Sequence, residues 1–296
     1  MERVWRADGP LDLHRTLALL RHATKDPTHR TAADGALWRA TRTPDGPASY
    51  RLVQTGPEVG CTAWGPGAAW VLDGLPELLG RHALFDPRHP LLVRAHRRHP
   101  GLRIPRSRRV FESLVPAVIE QKVTGKEARE AYVLLLRRYG EPAPGPVPAG
   151  LLVPPSPDAW LHIPSWEWHL AGVDPRRMRT VLAAARVAER LEEAVTMSPE
   201  DARARLTAVP GVGEWTAAEV AVRALGDTDA VSVGDYHLAG HVGWALVGRP
   251  VGDEEMVALL EPWRPQRARV VRLIELSGAA KPRFGPRMTV QDHRSH

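Results

Sequence analysis

The segment from Leu206 to Asp235, LTAVPGVGEWTAAEVAVRALGDTDAVSVGD, restricts what this chain can fold into more than any other. The ring of Pro210 fixes one backbone angle and ends the apolar helical run before it. Gly211 and Gly213 then supply a turn, because glycine tolerates positive φ and brings no Cβ. With those two residues in place, the amides around Val212 can point outward together, just ahead of a helix that begins near Glu214. A helix start of this kind attracts anions. Apolar residues at Val209, Val212, Ala217, Val220, Ala221 and Leu225 fit a helix packed on one face, with Gly226 as its C-terminal stop. The spacing therefore predicts helix, hairpin, helix, followed by a lone carboxylate, Asp235. An ordinary helix-helix turn without a ligand would carry the same V-P-G-V-G, so the surrounding residues have to separate the two readings.

Charge points the same way. The chain has 40 Lys+Arg against 34 Asp+Glu, a formal net charge of +6. Between Asp86 and Glu112 no acid occurs, while Arg88, Arg94, Arg97, Arg98, Arg103, Arg106, Arg108 and Arg109 do. Such a stretch suits the neutralisation of several phosphates, and equally a solvated basic linker.

A chain of 296 residues with 43% hydrophobic content has enough material for one large or two moderate domains with real cores. No apolar run approaches the roughly 20 residues of a membrane span, and the first residues, MERVWRADGPLDLHRT, lack the apolar core of a signal peptide. A cytoplasmic, nucleoid-associated location is the expectation. The single cysteine, Cys61, excludes an internal disulfide and a four-cysteine iron-sulfur cluster. The 13 histidines show no H-E-x-x-H spacing, so no metal site and no cofactor are expected.

Along the chain, residues 12 to 22 carry the apolar period of a helix. Gly35 to Trp38, Tyr50 to Gln54 and Val59 to Trp64 are short segments split by turn residues such as Pro44-Asp45-Gly46-Pro47. These predict a helix plus a small antiparallel sheet, closed by a second helix over Leu75 to His82 and bounded at Phe85-Asp86-Pro87. Residues 1 to 86 are thus one expected domain and residues 87 to 296 a second. In the second, helices are predicted from Pro87 to His99, Ser107 to Val123, Lys126 to Tyr139, Pro157 to Leu161, Pro175 to Glu193, Pro199 to Val209, Glu214 to Leu225, Tyr236 to Val247, Glu254 to Leu260 and Pro265 to Leu276. The Pro- and Gly-rich tract from Glu141 to Pro157 is expected to run over the surface. Residues 284 to 296 are expected to form a frayed basic tail.

The hairpin, its helix and the trailing Gly-Asp resemble the helix-hairpin-helix DNA glycosylase superfamily, whose pattern is L-x-x-[VLF]-P-G-[VI]-G, a helix, and an Asp some twenty residues on. Within it the chain is most similar to the 3-methyladenine DNA glycosylase II branch. HPGLRIPRSRRVFESLVPAVIEQKVTGKEARE, from His99 to Glu130, matches that branch's R-P-G-L-R-L-P and F-E-x-x-V-x-A-I-L-G-Q-x-V-S segment. PWRPQRARVVRL, from Pro262 to Leu273, resembles its late R-W-x-P-W-R helix. The likeness covers most of residues 90 to 275. It implies an α+β fold in which two helical lobes flank a cleft and a small unit with an antiparallel sheet precedes them. It also implies double-stranded DNA with damaged bases as the partner, a monomer, and no association with membranes.

The resemblance assigns chemistry to particular residues. Cleaving an N-glycosidic bond builds positive charge on the deoxyribose, which a carboxylate near C1′ can stabilise. Asp235 matches the family's essential Asp, although Asp is also favoured there simply as a cap for the next helix. Strand-cutting relatives place a Lys at the second position after the last hairpin glycine, where it forms a Schiff base with the sugar. This chain has Trp215 there, which implies a monofunctional, water-using glycosylase. In the alkylation branch such a Trp lines the base pocket, where its face suits a flipped cationic base; a core aromatic is the structural alternative. The hairpin residues Gly211, Val212, Gly213, Glu214 and Thr216 would grip phosphate. Gln121 matches a family Gln, and Lys122 stands where relatives insert an apolar residue into the gap left by the flipped base. A Lys fits that place by its aliphatic stem, and fits a plain surface position as well.

Two departures concern the pocket. Where well-known members have a pocket Tyr, this chain has Glu219, and at a late-helix Trp it has Gln266. An acid at Glu219 fits either a contact to a cationic purine or a solvent-facing helix position. Alkylated purines, another damaged base, and a non-catalytic DNA-binding role are the three functions left by the residues themselves.

Overall fold

The computed structural model describes residues 1–279. Five strands form one antiparallel sheet in the order β1-β5-β4-β3-β2: β1 (Glu2–Arg6), β2 (His29–Thr31), β3 (Leu37–Thr43), β4 (Gly46–Thr55) and β5 (Glu58–Trp64). Between β1 and β2 lie α1 (Leu13–Leu17) and a short 3₁₀ turn; α2 (Ala68–Asp73) and α3 (Leu75–Leu78) follow β5. Period-two alternation puts Ala48, Tyr50 and Leu52 of β4 and Val59, Cys61 and Ala63 of β5 on one face, where they meet Leu13, Leu17, Val71, Leu72 and Leu75. Burial there pushes the Cys61 thiol up to about 12.

The sheet is larger than the sequence suggested. β1 and β2 are edge strands with mostly exposed or half-buried side chains, so neither carries a strong apolar signal. The expected helix over Leu75 to His82 stops at Leu78, preceded by the separate α2.

The rest is helical: α4 (Pro90–Arg98), α5 (Val110–Ile119), α6 (Gly125–Tyr139), α7 (Pro157–Leu161), α8 (Ser165–Leu170), α9 (Pro175–Arg186), α10 (Ala188–Glu192), α11 (Pro199–Thr207), α12 (Glu214–Val220), α13 (Leu238–Val247), α14 (Asp253–Leu260) and α15 (Arg267–Ser277). Helix α8 was not anticipated; its SWEWHL sequence has one fully buried anchor, Trp168, and no apolar period. The helices form two lobes. One holds α5 to α12 around Leu114, Val118, Leu135, Trp160, Val181 and Leu206. The other packs α4 with α13, α14 and α15 around Leu92, Val242, Met256, Leu260 and Leu273. The predicted basic tail at 284 to 296 lies outside the described residues. Among the described residues, no helix is long and apolar enough to cross a membrane.

The tract from Glu141 to Pro157 departs from its expected surface course. Glu141–Pro142 (β6) pairs with Leu152–Val153 (β7), and this ribbon covers the second face of the sheet. Val153, Leu151 and Ala143 bury against Trp38 and Ala40, with Trp38 stacked on Trp64 at 5.3 Å. Pro and Gly set the turns, but the apolar Leu151 and Val153 need cover, and the sheet supplies it.

A buried ion pair fastens sheet to helix. Arg39 of β3 donates to Glu112 of α5 at 2.6 Å, and Glu112 also accepts from the Thr41 hydroxyl at 2.6 Å. Helix α5 is then held at both ends. At its start the Glu192 carboxylate accepts from the amides of Val110 and Phe111, at 2.8 and 3.1 Å. At its end Arg177 donates to the Ile119 carbonyl at 2.6 Å. Each charge has the sign that complements the helix dipole. Burial raises the pKa of Glu192 in spite of Arg109 and the two amides.

Candidate active site

The hairpin has the expected form. Helix α11 ends at Thr207, Gly211 turns at φ +91°, and α12 starts at Glu214. Gly211 is constrained twice, since a Cβ there would also stand 2.1 Å from the Thr180 hydroxyl. Gly213 is not: its φ is −102° and nothing lies within 4 Å of where a Cβ would be. Its lack of a side chain leaves the amides beside it uncovered. Val212 takes a different part from the one expected. Its amide donates to the Val209 carbonyl at 3.0 Å and its side chain is buried, because the hairpin closes on itself there. The free amides of the hairpin therefore begin at Gly213. Beyond α12 a π-helical turn, Ala221–Leu225, ends at Gly226 with φ +68°.

Gln121 and Lys122 occupy the turn between α5 and α6. The Gln121 amide group donates to the Gly211 carbonyl at 3.0 Å and to the Thr216 hydroxyl at 2.9 Å, fixing this turn against the hairpin. Lys122 is exposed, with a left-handed φ of +55°. Thr124 caps α6 in a reciprocal pair with Glu127, so the turn is bounded on both sides.

Trp215 and Asp235 meet. The indole Nε1 donates to Asp235 Oδ2 at 3.2 Å, from the first turn of α12 to the loop that enters α13. Asp235 Oδ1 accepts from the amides of His237 and Leu238 at 2.8 and 2.9 Å, so it ties down the entry of α13 from two residues ahead of the N-cap, His237. The helix begins two residues later than expected, at Leu238, because the carboxylate bonds the amides there. Both residues are half-buried, at the junction of the two lobes.

Glu219 is neither free for a base nor turned to solvent. One oxygen accepts from Arg223 at 2.6 Å and the other from the Ser232 hydroxyl. Burial lowers the Arg223 pKa, but the charges of Glu219 and Glu120 outweigh it and raise the guanidinium above its usual value. The i,i+4 spacing of Glu219 and Arg223 was visible in the sequence; Ser232 gave no signal. Gln266 is not brought to this site: its side chain donates to the Leu84 carbonyl at 2.7 Å and accepts from Arg269 at 3.1 Å.

The basic stretch is the largest revision. Arg103 is buried and donates to the carbonyls of Pro10, Gly80 and Gly9 while pairing with Asp8. Arg106 pairs with Glu77, Arg109 with Glu192 and Arg88 with Asp86. Arg108 stacks over Trp70 at 4.0 Å. The acids absent from the stretch are supplied from elsewhere in the fold. Only Arg94, Arg97 and Arg98, all on the exposed side of α4, have no carboxylate partner among the described residues. Among those residues, no His, Cys, Asp and Glu are grouped to hold a metal ion.

No family model matches the chain. A stretch of 209 residues, 67% of this chain, is 32% identical to a protein of Mycobacterium tuberculosis described as a "probable bifunctional transcriptional activator/DNA repair enzyme AlkA". The match covers 38% of that protein, so the chain spans well under half the length of the curated relatives it matches. Among solved structures, the 3-methyladenine DNA-glycosylase from Archaeoglobus fulgidus superposes with a TM-score of 0.77 and 19% identity, over 93% of this chain and 98% of that one. The 8-oxoguanine glycosylase/lyase of Clostridium acetobutylicum, without DNA, gives 0.70 at 13% identity, over 94% and 96%. The two superpositions show the fold, and the sequence relative points to the same group. The sequence relationship shows that the chain belongs to the helix-hairpin-helix DNA glycosylase superfamily, in its AlkA-like branch, and the shared fold agrees with it.

Proposed function

We propose that this protein is a monofunctional DNA glycosylase that flips alkylated purines, of the 3-methyladenine and 7-methylguanine type, out of duplex DNA and hydrolyses their N-glycosidic bonds. The observation that carries the reading is the Trp215–Asp235 contact at the mouth of the hairpin helix. The free amides from Gly213 onward would hold a phosphate, and Lys122, carried on a turn that Gln121 fixes to the hairpin, would fill the gap in the stack. The nucleotide then rotates toward Trp215, at a cost of about a few kcal/mol that is least for damaged, poorly paired bases.

The alkylated purine is cationic and leaves with the electron pair of the broken C1′–N bond. Asp235 offsets the positive charge that develops on the sugar, water adds to C1′, and the proton it loses passes to the carboxylate or to solvent. Trp215 cannot form an imine with the sugar, and this supports hydrolysis without strand cleavage. An abasic site is the product.

The test is duplex DNA bearing 7-methylguanine, 3-methyladenine, hypoxanthine or 8-oxoguanine, with base release followed before and after alkali. Release of the methylated purines, with strand breaks appearing only after alkali, is expected. Strand cleavage without alkali would overturn the monofunctional reading, and release of 8-oxoguanine alone would overturn the alkylpurine assignment.

A further inference from the structure

Three contacts line one face of α12 and its π extension, formed by residues that recur every four positions. Trp215 reaches Asp235, Glu219 holds Ser232, and Arg223 Nε donates to the Leu19 carbonyl at 3.0 Å. The last contact ties α12 to the segment after α1, which also carries His22. His22 Nδ1 lies 3.9 Å from Glu120 Oε1, and Glu120 directly precedes Gln121, whose side chain bonds Thr216 on α12. Glu120 therefore lies between the end of α5 and the segment after α1, near enough to Arg223, the third residue of that face, for the two charges to act on each other.

Glu120 differs from Glu219 in one respect. Both Glu219 oxygens are filled, whereas the Glu120 carboxylate has only His22 within 4 Å as a basic neighbour among the described residues, a contact that is an ion pair when the imidazole is protonated, and keeps 28% of its side chain accessible. Burial works to raise its pKa, but His22, Arg223 and Arg129 outweigh that and hold it below the usual range. Glu120 is thus an ionised, half-buried group that can only accept hydrogen bonds. A site built around such an acceptor favours ligands that bring a donor and penalises those that do not, because the unpaired charge then stays desolvated.

We propose that Glu120, oriented by His22, accepts a hydrogen bond from the edge of the flipped base and so selects purines with a donor there, an exocyclic amine or a ring N–H, over bases whose edge has acceptors alone. This rests on the glycosylase reading above and adds a base-reading residue to it. Glu219, saturated by Arg223 and Ser232, shapes the wall without reading the base.

The experiment uses the full chain and two duplexes of one sequence, one with 7-methylguanine, which has an N–H edge, and one with 1,N6-ethenoadenine, which has none. Single-turnover release is measured for wild type, Glu120→Gln and His22→Gln, alongside thermal melting of each protein. Wild type favours 7-methylguanine. Glu120→Gln lowers its release roughly tenfold or more while lowering ethenoadenine release far less, since the new amide can donate. His22→Gln shifts the ratio the same way by a smaller factor, and decides alone if Glu120→Gln fails to fold. An equal fall on both substrates, or an unchanged ratio, overturns the inference and leaves the glycosylase reading intact. Release of neither base by wild type overturns both.

Discussion

Trp215 and Asp235, twenty residues apart, are joined by an indole-to-carboxylate hydrogen bond of 3.2 Å that crosses from one helical lobe to the entry of the other. The other oxygen of Asp235 is held by two backbone amides. The carboxylate is fixed at both ends, which is what a group must be if it is to meet charge as it develops on a sugar.

Asp235→Asn follows from this geometry. The amide oxygen can still accept from His237 and Leu238, but the amide nitrogen cannot accept from Trp215, so thermal unfolding should show a loss of about 1–2 kcal/mol. The negative charge is gone, and base release in single-turnover assays should fall at least about a hundredfold. Release at the wild-type rate would refute the proposed role of Asp235.

The two hairpin glycines should separate fold from binding. Gly211→Ala places a Cβ against Thr180 at positive φ and should destabilise the protein by roughly 1–3 kcal/mol. Gly213→Ala meets nothing in the free protein, so melting should be nearly unchanged while affinity for duplex DNA drops. Calorimetry and fluorescence anisotropy on the same preparations distinguish the two.

The arginines of the basic stretch should divide in the same way. Replacing Arg94, Arg97 and Arg98 by Gln should leave stability unaltered, and each one that contacts phosphate should reduce the slope of log affinity against log salt by about 1. Arg108→Ala removes the guanidinium from Trp70 and should cost roughly 1–2 kcal/mol of stability with little change in that slope. Equal salt slopes for both sets would show that the pairing seen in the fold does not govern DNA contact.

Asp26 should govern acid sensitivity. It is fully buried, and although burial pushes its pKa up, contacts from His29, His22 and Thr28 outweigh this and depress it well below the usual carboxylate range. A depressed folded pKa contributes stability that is present above the unfolded value of about 3.9 and is lost as pH falls through it toward the folded value. Asp26→Asn should therefore be less stable than wild type by roughly 3 kcal/mol at pH 7. The gap should narrow below about pH 4, as read by urea melts at both pH values.

Much of the site was legible in one dimension, and the misses share a cause. Pro210 and Gly211 announced the turn through their own backbone preferences, and Gly226 the end of the helix. The i,i+4 spacing of Glu219 and Arg223 allows their pairing, yet the sequence alone left Glu219 between a purine contact and solvent. Neither Ser232 on Glu219 nor His22 beside Glu120 could be anticipated, since each partner is brought up by a distant segment. The same holds for the acid-free arginine stretch. It read as a phosphate track because its counter-ions, Asp8, Glu77 and Glu192, lie far away in sequence.

The hairpin, the helical periods of the two lobes, the alternation of the central strands and the twenty-residue spacing of Trp215 and Asp235 could all be read along the chain. Each of these depends on the steric freedom of single residues or on neighbours within a turn. Which charges are paired within the protein followed from the packing of distant segments. That packing closed the ribbon from Glu141 to Val153 over the sheet, used the Val212 amide inside the hairpin, saturated Glu219 and set Glu120 beside His22. The reason is that the state of a charge depends on what stands within a few ångströms of it, and that is set by the packing of segments remote in sequence.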